Sequence, residues 1–393
     1  MCMNIQKNVL NRYAGGIMRD LSHIQNIIVK VGSSSLTGEN GIISDEKMLS
    51  IVSQIAAVRR KGIHVVLVSS GAQAAGMGVL GLERKPGDMA KKQALAAIGQ
   101  AKLMQHYENL FRIFNLKCAQ ILLNHDDFDN RKRLVNLENA LEALIGYDVI
   151  PIINENDSLA VDEIKVGDND TLASMIVPAA GGDLLVLMSD IDGLYNDNPN
   201  QNPDAKLIPY VGDVREVENF AKDSSSSVGT GGMITKINAA KMVNAYGCDM
   251  AIINAGTENA LVRLMDGEEI GTIFDGHREK DLSAKKHWIL YRSTIRGQIV
   301  VDDGAYFSVR DKRSSLLPKG VTGVNGDFLS GAVVEIVNGE GKACGKGITN
   351  YSSDEIRLIM GRGTDEIEEI LHYKDYDEVI HANNLVVISR KEK

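Results

Sequence analysis

The segment Val228–Gly229–Thr230–Gly231–Gly232–Met233–Ile234–Thr235–Lys236 places three glycines within four positions, directly ahead of residues with helical spacing. Without Cβ atoms in the way, main-chain N–H groups there can close on an anion. Ile237 to Tyr246 has the pattern of a helix, with Met233, Ile237 and Ala240 on one face. A glycine turn that opens a helix suits phosphate. Lys236 adds a full positive charge where the helix dipole is already positive, and a cation at that place suggests an anionic ligand. The plain alternative is a glycine-rich surface turn with an ordinary lysine. The segment is not a Walker A loop, because Thr235 stands where that pattern needs glycine before its lysine, and it is not a dinucleotide fingerprint.

Working outward, short aliphatic runs alternate with helical patterns. The runs are Ile27 to Val31, His64 to Val68, Cys118 to Leu123, Val149 to Ile153, Leu184 to Met188 and Met250 to Asn254. Continuous apolar runs of this length read as parallel strands buried on both faces. Between them Asp45 to Arg60, Met89 to Phe114, Leu134 to Tyr147 and Thr171 to Ala180 read as helices. The expected fold is an α/β/α sandwich with a mainly parallel central sheet. Ligands of such sheets sit outside the carboxyl ends of the strands, so the loops that follow each strand carry the functional information.

The first strand ends in Lys30–Val31–Gly32–Ser33–Ser34–Ser35, an ammonium followed by glycine and three hydroxyls, which suits phosphate oxygens. A lysine pointing into solvent is the bland reading. The second strand is followed by Ser69–Ser70–Gly71–Ala72, with Gly76 and Gly78 behind; this reads as an anion or carboxylate nest, or as small residues that permit tight helix–strand packing. The fourth runs into Asn154–Glu155–Asn156–Asp157, and the next loop carries Gly167–Asp168–Asn169–Asp170 ahead of a helix. One helix cap uses one residue. Two polar clusters offer more acceptors than capping requires, which favours recognition of an ammonium group or the positioning of a catalytic lysine. The fifth strand ends at Ser189–Asp190–Ile191–Asp192–Gly193, and the proline-bearing loop beyond it suggests a mobile cover over a nucleotide or an ordinary surface excursion. Asp190 and Asp192 read as turn-formers rather than metal ligands.

The pattern changes around Phe274 to Lys286. Beyond it the runs Gln298 to Val301, Ala332 to Val337, Lys346 to Thr349 and Arg357 to Met360 read as short strands of a small β-rich domain, a barrel or sandwich. Arg310, Lys312, Arg313 and Lys319 gather there among Asp302, Asp303 and Asp311, so a solvated mixed surface is the safer reading than an RNA site. The expected organisation is an N-terminal extension over 1–23, with Met18 as an alternative start, a large domain over 24–275, a linker over 276–295, and the small domain with its tail over 296–393.

With 393 residues, 44% of them hydrophobic, the chain is long enough for two cores, and its net charge of −9 opposes binding of nucleic acid or anionic membrane. The four cysteines, Cys2, Cys118, Cys248 and Cys344, form no CxxC pair, so neither a disulfide framework nor a zinc site is suggested, and a reducing cytoplasm fits best. No membrane span or signal peptide is read.

Five of these motifs, Ile27 to Ser33, Val68 to Ala72, Asn154 to Asp157, Gly167 to Asp170 and Gly229 to Lys236, occur in the order and approximate spacing of the glutamate 5-kinases of the amino acid kinase superfamily. The resemblance covers Asn26 to about Asp275. The part with Ser315–Leu316–Leu317–Pro318–Lys319–Gly320–Val321, Gly326–Asp327–Phe328 and Gly347–Ile348–Thr349–Asn350–Tyr351–Ser352 resembles the PUA domain of many bacterial members. The resemblance implies transfer of the γ-phosphoryl of ATP to the side-chain carboxylate of L-glutamate, the first committed step of proline synthesis, with magnesium held mainly by the ATP phosphates and no metal-ligating residues of its own. It implies that Lys30 and Lys236 hold the transferred phosphoryl and that Asp170 orients both. It further implies that Ser70, Asp157 and Asn169 bind glutamate with support from Asn154 and Asp168. Lys30, Ser189, Asp190, Thr230, Gly231, Gly232, Met233, Ile234, Thr235 and Lys236 would contact ATP. A homo-oligomer, dimer or tetramer, and feedback inhibition by proline are also implied. The competing readings are another superfamily kinase, acting on aspartate, N-acetylglutamate or uridine monophosphate, and an RNA-binding regulator that uses the PUA-like domain. Carboxylates in the Asn154–Asp157 cluster oppose phosphate-bearing acceptors. No role is read for Ser224 to Ser227.

Overall fold

The computed structural model describes residues 19–124, 127–128, 131–159, 169–199, 201–217, 232–276, 286 and 288–388. The chain divides into two compact units, Met1–Asp281 and Leu282–Lys393.

The first unit runs β1 (Asn26–Val31), a one-turn helix α1 (Ser33–Leu36), α2 (Asp45–Arg60), β2 (His64–Ser69), α3 (Ala72–Leu80), α4 (Met89–Ile113), β3 (Lys117–Leu123), α5 (Arg131–Gly146), β4 (Val149–Glu155), α6 (Asn169–Ile176), β5 (Leu184–Ser189), β6 (Tyr210–Val211), α7 (Met233–Asn244), β7 (Asp249–Asn254), α8 (Ala260–Met265) and β8 (Thr272–Phe274). Its sheet has eight strands in the order β3-β4-β2-β1-β5-β7-β8-β6. Every neighbouring pair is parallel except β7 with β8. The expected strands therefore stand where the aliphatic runs are, each lengthened by a residue or two as ladder bonding continues into flanking polar residues.

Alternation along β1 sorts its side chains between two layers. Ile27, Val29 and Val31 join one core with Met48, Ile51 and Ile55 of α2, Leu103 and Phe111 of α4, and Leu261 of α8. Ile28 and Lys30 face the other layer, where α6 packs on β1. Arg59 near the end of α2 donates to the carbonyl of Ile63 at 2.8 Å and bonds Asp148, which pins the amino ends of β2 and β4. Leu21 and Ile24 are buried in the same core, and the Arg19 guanidinium donates to the Pro209 carbonyl at 2.7 Å. Among the described residues no helix is long and apolar enough to cross a membrane.

Two local expectations change. Gly76 and Gly78 lie inside α3, not in an anion nest, and a methyl on Gly76 would overlap the Leu95 carbonyl of α4. Close packing is what Gly76 serves, but between two helices rather than between helix and strand. The glycine-segment helix begins at Met233 rather than Ile237: Gly232 takes extended N-cap dihedrals, φ −71° and ψ 178°, and the helix starts straight after it. Lys236 is thus in the first turn.

The second unit runs β9 (Gln298–Val301), α9 (Asp303–Lys312), β10 (Val321–Asn325), β11 (Val333–Asn338), β12 (Ala343–Ile348), α10 (Ser353–Ile359), α11 (Ile367–Leu371) and β13 (Leu385–Val387), with five strands in one sheet ordered β10-β9-β11-β12-β13. The strand expected at Arg357 to Met360 is the end of helix α10. Ser352 accepts from the Glu355 N–H while the Glu355 carboxylate accepts from the Ser352 N–H at 2.8 Å, a capping box that overrides the aliphatic run. The mixed basic and acidic residues except Lys319 sit on α9 or cap it, where Asp302 accepts from the Ala305 N–H at 2.7 Å and Arg310 lies 4.8 Å from the Phe307 ring centre and pairs with Asp311 at 2.8 Å.

Candidate active site

At the carboxyl end of the sheet, three elements bring charge to one point. Lys30 is the penultimate residue of β1, Asp170 is in the first turn of α6, and Lys236 is in the first turn of α7. Lys30 Nζ stands 2.6 Å from Asp170 Oδ1, a charge contact rather than a directed hydrogen bond, and Lys236 Nζ donates to Asp170 Oδ2 at 2.8 Å. The carboxylate is wholly buried and the lysine side chains are only 11% and 5% exposed, so solvent screens these contacts little. Burial pushes the Asp170 carboxyl up. The Lys30 and Lys236 ammoniums, with their contacts, outweigh that and hold it below the usual aspartate range. Lys236, read from sequence as awaiting an anion, already has one in Asp170. The three side chains together still carry two positive charges and one negative.

Around the triplet the backbone is open. Gly32 caps α1 with an ordinary φ of −75° and no side-chain cap, so its lack of a Cβ serves space rather than conformation. A methyl there would lie 3.6 Å from Lys30 Nζ and 3.9 Å from Ser34 Oγ. Gly232 caps α7, also without a side-chain bond, and Thr235 Oγ1 turns back to the Gly232 carbonyl at 2.7 Å.

Beside the triplet lies an amide cluster. Asn169, adjacent to Asp170, donates through Nδ2 to Ser70 Oγ at 2.6 Å, the Ser69 carbonyl at 3.0 Å and Asn154 Oδ1 at 3.2 Å. Ser70 after β2, Asn154 at the end of β4 and Asn169 at the start of α6 are therefore one site, continuous through α6 with Lys30, Asp170 and Lys236. Asp157 is half-buried in the turn after β4. Gln100 of α4, which the sequence did not single out, accepts from Asn154 Nδ2 at 2.9 Å. Its only sequence signal is a polar residue on a helix whose role looked purely structural.

On the other flank, the end of β5 lies beside that of β1, with the Gly32 N–H donating to the Met188 carbonyl at 3.5 Å. Ser189 donates to Asp190 at 3.1 Å, and Asp190 is exposed. Asp192 accepts from Asn254 at 2.8 Å and Tyr195 at 3.1 Å, the bonding of a turn-former. Met233 is half-buried and Ile234 exposed on α7. Asp168, Thr230, Gly231 and the serines 224–227 lie outside the described residues. Among the described residues no group of three or more His, Cys, Asp or Glu is placed to hold a metal ion.

A cavity of about 290 Å³ lies at the opposite, amino ends of the strands, lined by Ala56, Arg59, His64, Phe114, Leu116 and Asp148. Its Arg59 is engaged in the pin described above. The buried charged triplet and the amide cluster stand at the carboxyl ends, where the crevices of open α/β sheets take their ligands.

The site and sheet define a protein built to handle an anion with two lysines held on a buried carboxylate. A model of the amino acid kinase family matches residues 25–254, and a model of the PUA domain matches residues 297–371. A protein of Dictyoglomus thermophilum named glutamate 5-kinase is 46% identical over 366 residues, 93% of this chain and 98% of that one. One of Geobacter sulfurreducens with the same name is 45% identical over 370 residues, 94% of this chain and 99% of that one. Among solved structures, the UMP kinase of Ureaplasma parvum is similar with a TM-score of 0.46 at 16% identity, over 64% of this chain and 99% of that one. The chain belongs to the amino acid kinase family, among its glutamate 5-kinases, and carries a PUA domain.

Proposed function

We propose that this chain transfers the γ-phosphoryl of ATP to the side-chain carboxylate of L-glutamate, giving glutamyl 5-phosphate for proline synthesis. The observation that carries the reading is the buried Asp170 with Lys30 and Lys236 on its two oxygens. Phosphoryl transfer calls for in-line placement and charge stabilisation more than covalent chemistry. Two ammoniums fixed from different elements supply both to the transferring group, and Asp170 keeps them from splaying apart. The attacking carboxylate is already ionised at neutral pH, so no general base is required.

Ser70, Asn169 and Asp157 bind the amino acid in this reading, with Asn154 and Asp168 supporting them. Ser189, Asp190 and the residues from Thr230 to Lys236 contact the nucleotide. The donors that the Lys30–Asp170–Lys236 triplet offers are ammoniums, which suit phosphate oxygens and not a cation. Magnesium would therefore ride on the ATP phosphates and neutralise their charge there. A cytoplasmic homo-oligomer, inhibited by proline, completes the proposal.

The test measures ATP consumption with magnesium and, in turn, L-glutamate, L-aspartate, N-acetylglutamate and uridine monophosphate, trapping acyl phosphate with hydroxylamine. Hydroxamate from glutamate alone is expected. Turnover with another acceptor would move the chain elsewhere in the superfamily, and silence with all four, joined to salt-dependent RNA binding, would favour a regulator.

Gly32→Ala is expected to fold as the parent does, because its φ is ordinary and the methyl meets only two flexible polar ends. Its kcat is expected to fall about ten- to hundredfold, since the methyl takes space beside the Lys30 ammonium and displaces the phosphoryl. A variant with unchanged kcat and unchanged melting temperature would show that this space is not used.

A further inference from the structure

Helix α4 sends two polar side chains into the amide cluster. Gln100 and Tyr107 lie about two turns apart on it and so share a face. That face meets the sheet: Leu103, Tyr107 and Phe111 pack in the core with Val65 and Leu67 of β2 and with Ile150 and Ile152 of β4. By strand alternation, Ser69 and Asn154 continue these two rows at the carboxyl ends. Each meets a partner on α4: Tyr107 Oη lies 2.7 Å from Ser69 Oγ, and Gln100 Oε1 lies 2.9 Å from Asn154 Nδ2. The depth of α4 is set by glycine contacts, because a methyl on Gly99 would overlap the Ala72 carbonyl of α3 and one on Gly76 would overlap the Leu95 carbonyl. Gln100 is the residue next to that contact.

An asparagine amide has two orientations that exchange a donor for an acceptor. In the one observed, Asn154 Oδ1 accepts from the Glu155 N–H at 3.0 Å and from Asn169 Nδ2 at 3.2 Å. The flipped amide would set N–H groups against both. Asn154 is 2% exposed, so its Nδ2 cannot turn to bulk water and depends on an internal acceptor. Gln100 Oε1 is that acceptor. Once Asn154 is set, Asn169 Nδ2 is shared among Asn154, the Ser69 carbonyl and Ser70, which places Asn169 Oδ1 on the opposite side of the amide.

We propose that Gln100 is a positioning residue: by holding Asn154 Nδ2 it fixes the amide orientation of Asn154, and through it that of Asn169, for the amino acid substrate. The inference rests on the reading of this cluster as the acceptor-substrate site. A residue acting in this way governs how the amino acid is held and leaves the phosphoryl end alone. Gln100→Ala is expected to raise KM for L-glutamate about tenfold, the worth of one unmade buried hydrogen bond, with kcat and KM for ATP within about twofold of the parent. Gln100→Glu keeps an acceptor oxygen in place and is expected to return KM to within about threefold.

A second readout is independent of turnover. With asparagine-selective ¹⁵N labelling, the Asn154 side-chain amide protons are expected to exchange with solvent about tenfold faster in Gln100→Ala than in the parent and to be restored in Gln100→Glu. If the parent makes no hydroxamate from glutamate, the substrate reading fails and the exchange rates decide the role of Gln100. Unchanged exchange in Gln100→Ala, or equal increases in KM for both substrates with a fall in kcat that Gln100→Glu does not reverse, overturns the proposal.

Discussion

Lys236→Ala is expected to lower kcat for glutamate-dependent hydroxamate formation by about 10²–10³-fold, the cost of removing one preorganised charge donor from a developing anion. The glutamate KM is expected to move little, because Lys236 touches Asp170 and not the amide cluster. The fold should survive, since Asp170 keeps its 2.6 Å contact with Lys30 and no buried charge is left alone. Steady-state kinetics with each substrate varied in turn reads both parameters. If kcat stays within twofold of the parent's, the phosphoryl is not held by this lysine and the proposed mechanism fails.

Asp170→Asn is expected to act in the opposite sense, on stability first. The amide is nearly isosteric, but it leaves two ammoniums buried side by side with no counter-charge, a change that costs about 3–5 kcal/mol when a buried ionic partner is removed. The pH dependence follows from the direction of the Asp170 shift. Its folded pKa lies below the ordinary aspartate value, so its contribution is complete above about pH 4 and is lost as the pH falls through the folded value. Parent and variant should therefore differ fully at neutral pH and converge only in strong acid. Urea denaturation across this pH range checks the pattern. A constant difference down to strong acid would mean that the ion pairs do not stabilise the fold.

Much of this was legible in the sequence because the sheet is buried on both faces. Parallel strands such as Ile27 to Val31 and Leu184 to Met188 must be aliphatic throughout, and the lysine that breaks the first run stands out for that reason. The loops that follow the strands were informative through excess: Asn154, Asn169 and Asp170 exceed what capping needs. What stayed hidden depends on partners distant in the chain. Gln100 meets Asn154 across 54 positions, and neither residue's neighbours signal the contact. At Arg357 to Met360 the aliphatic run outvoted a capping box that begins five residues earlier, at Ser352, and local hydrogen bonding won. The lysine at the start of α7 pointed to an anion, yet its sequence could not tell that a buried aspartate 66 positions away is the first partner.

The pairing of β1 with β5 also sets a timetable for synthesis. The Asn26 N–H bonds the Asp183 carboxylate across 157 positions, so the central strand leaves the ribosome long before the neighbour that flanks it. At about 5–20 residues per second, roughly six to twenty-three seconds pass between the end of β2 and the start of β5, in which β1 has only β2 beside it. During that interval the nascent chain presents an aliphatic strand edge, with Lys30 still lacking its buried counter-ion until Asp170 emerges. The charged triplet is complete only once Lys236 has been added, and chaperone engagement with nascent chains is expected to be greatest while residues 70–183 are being added.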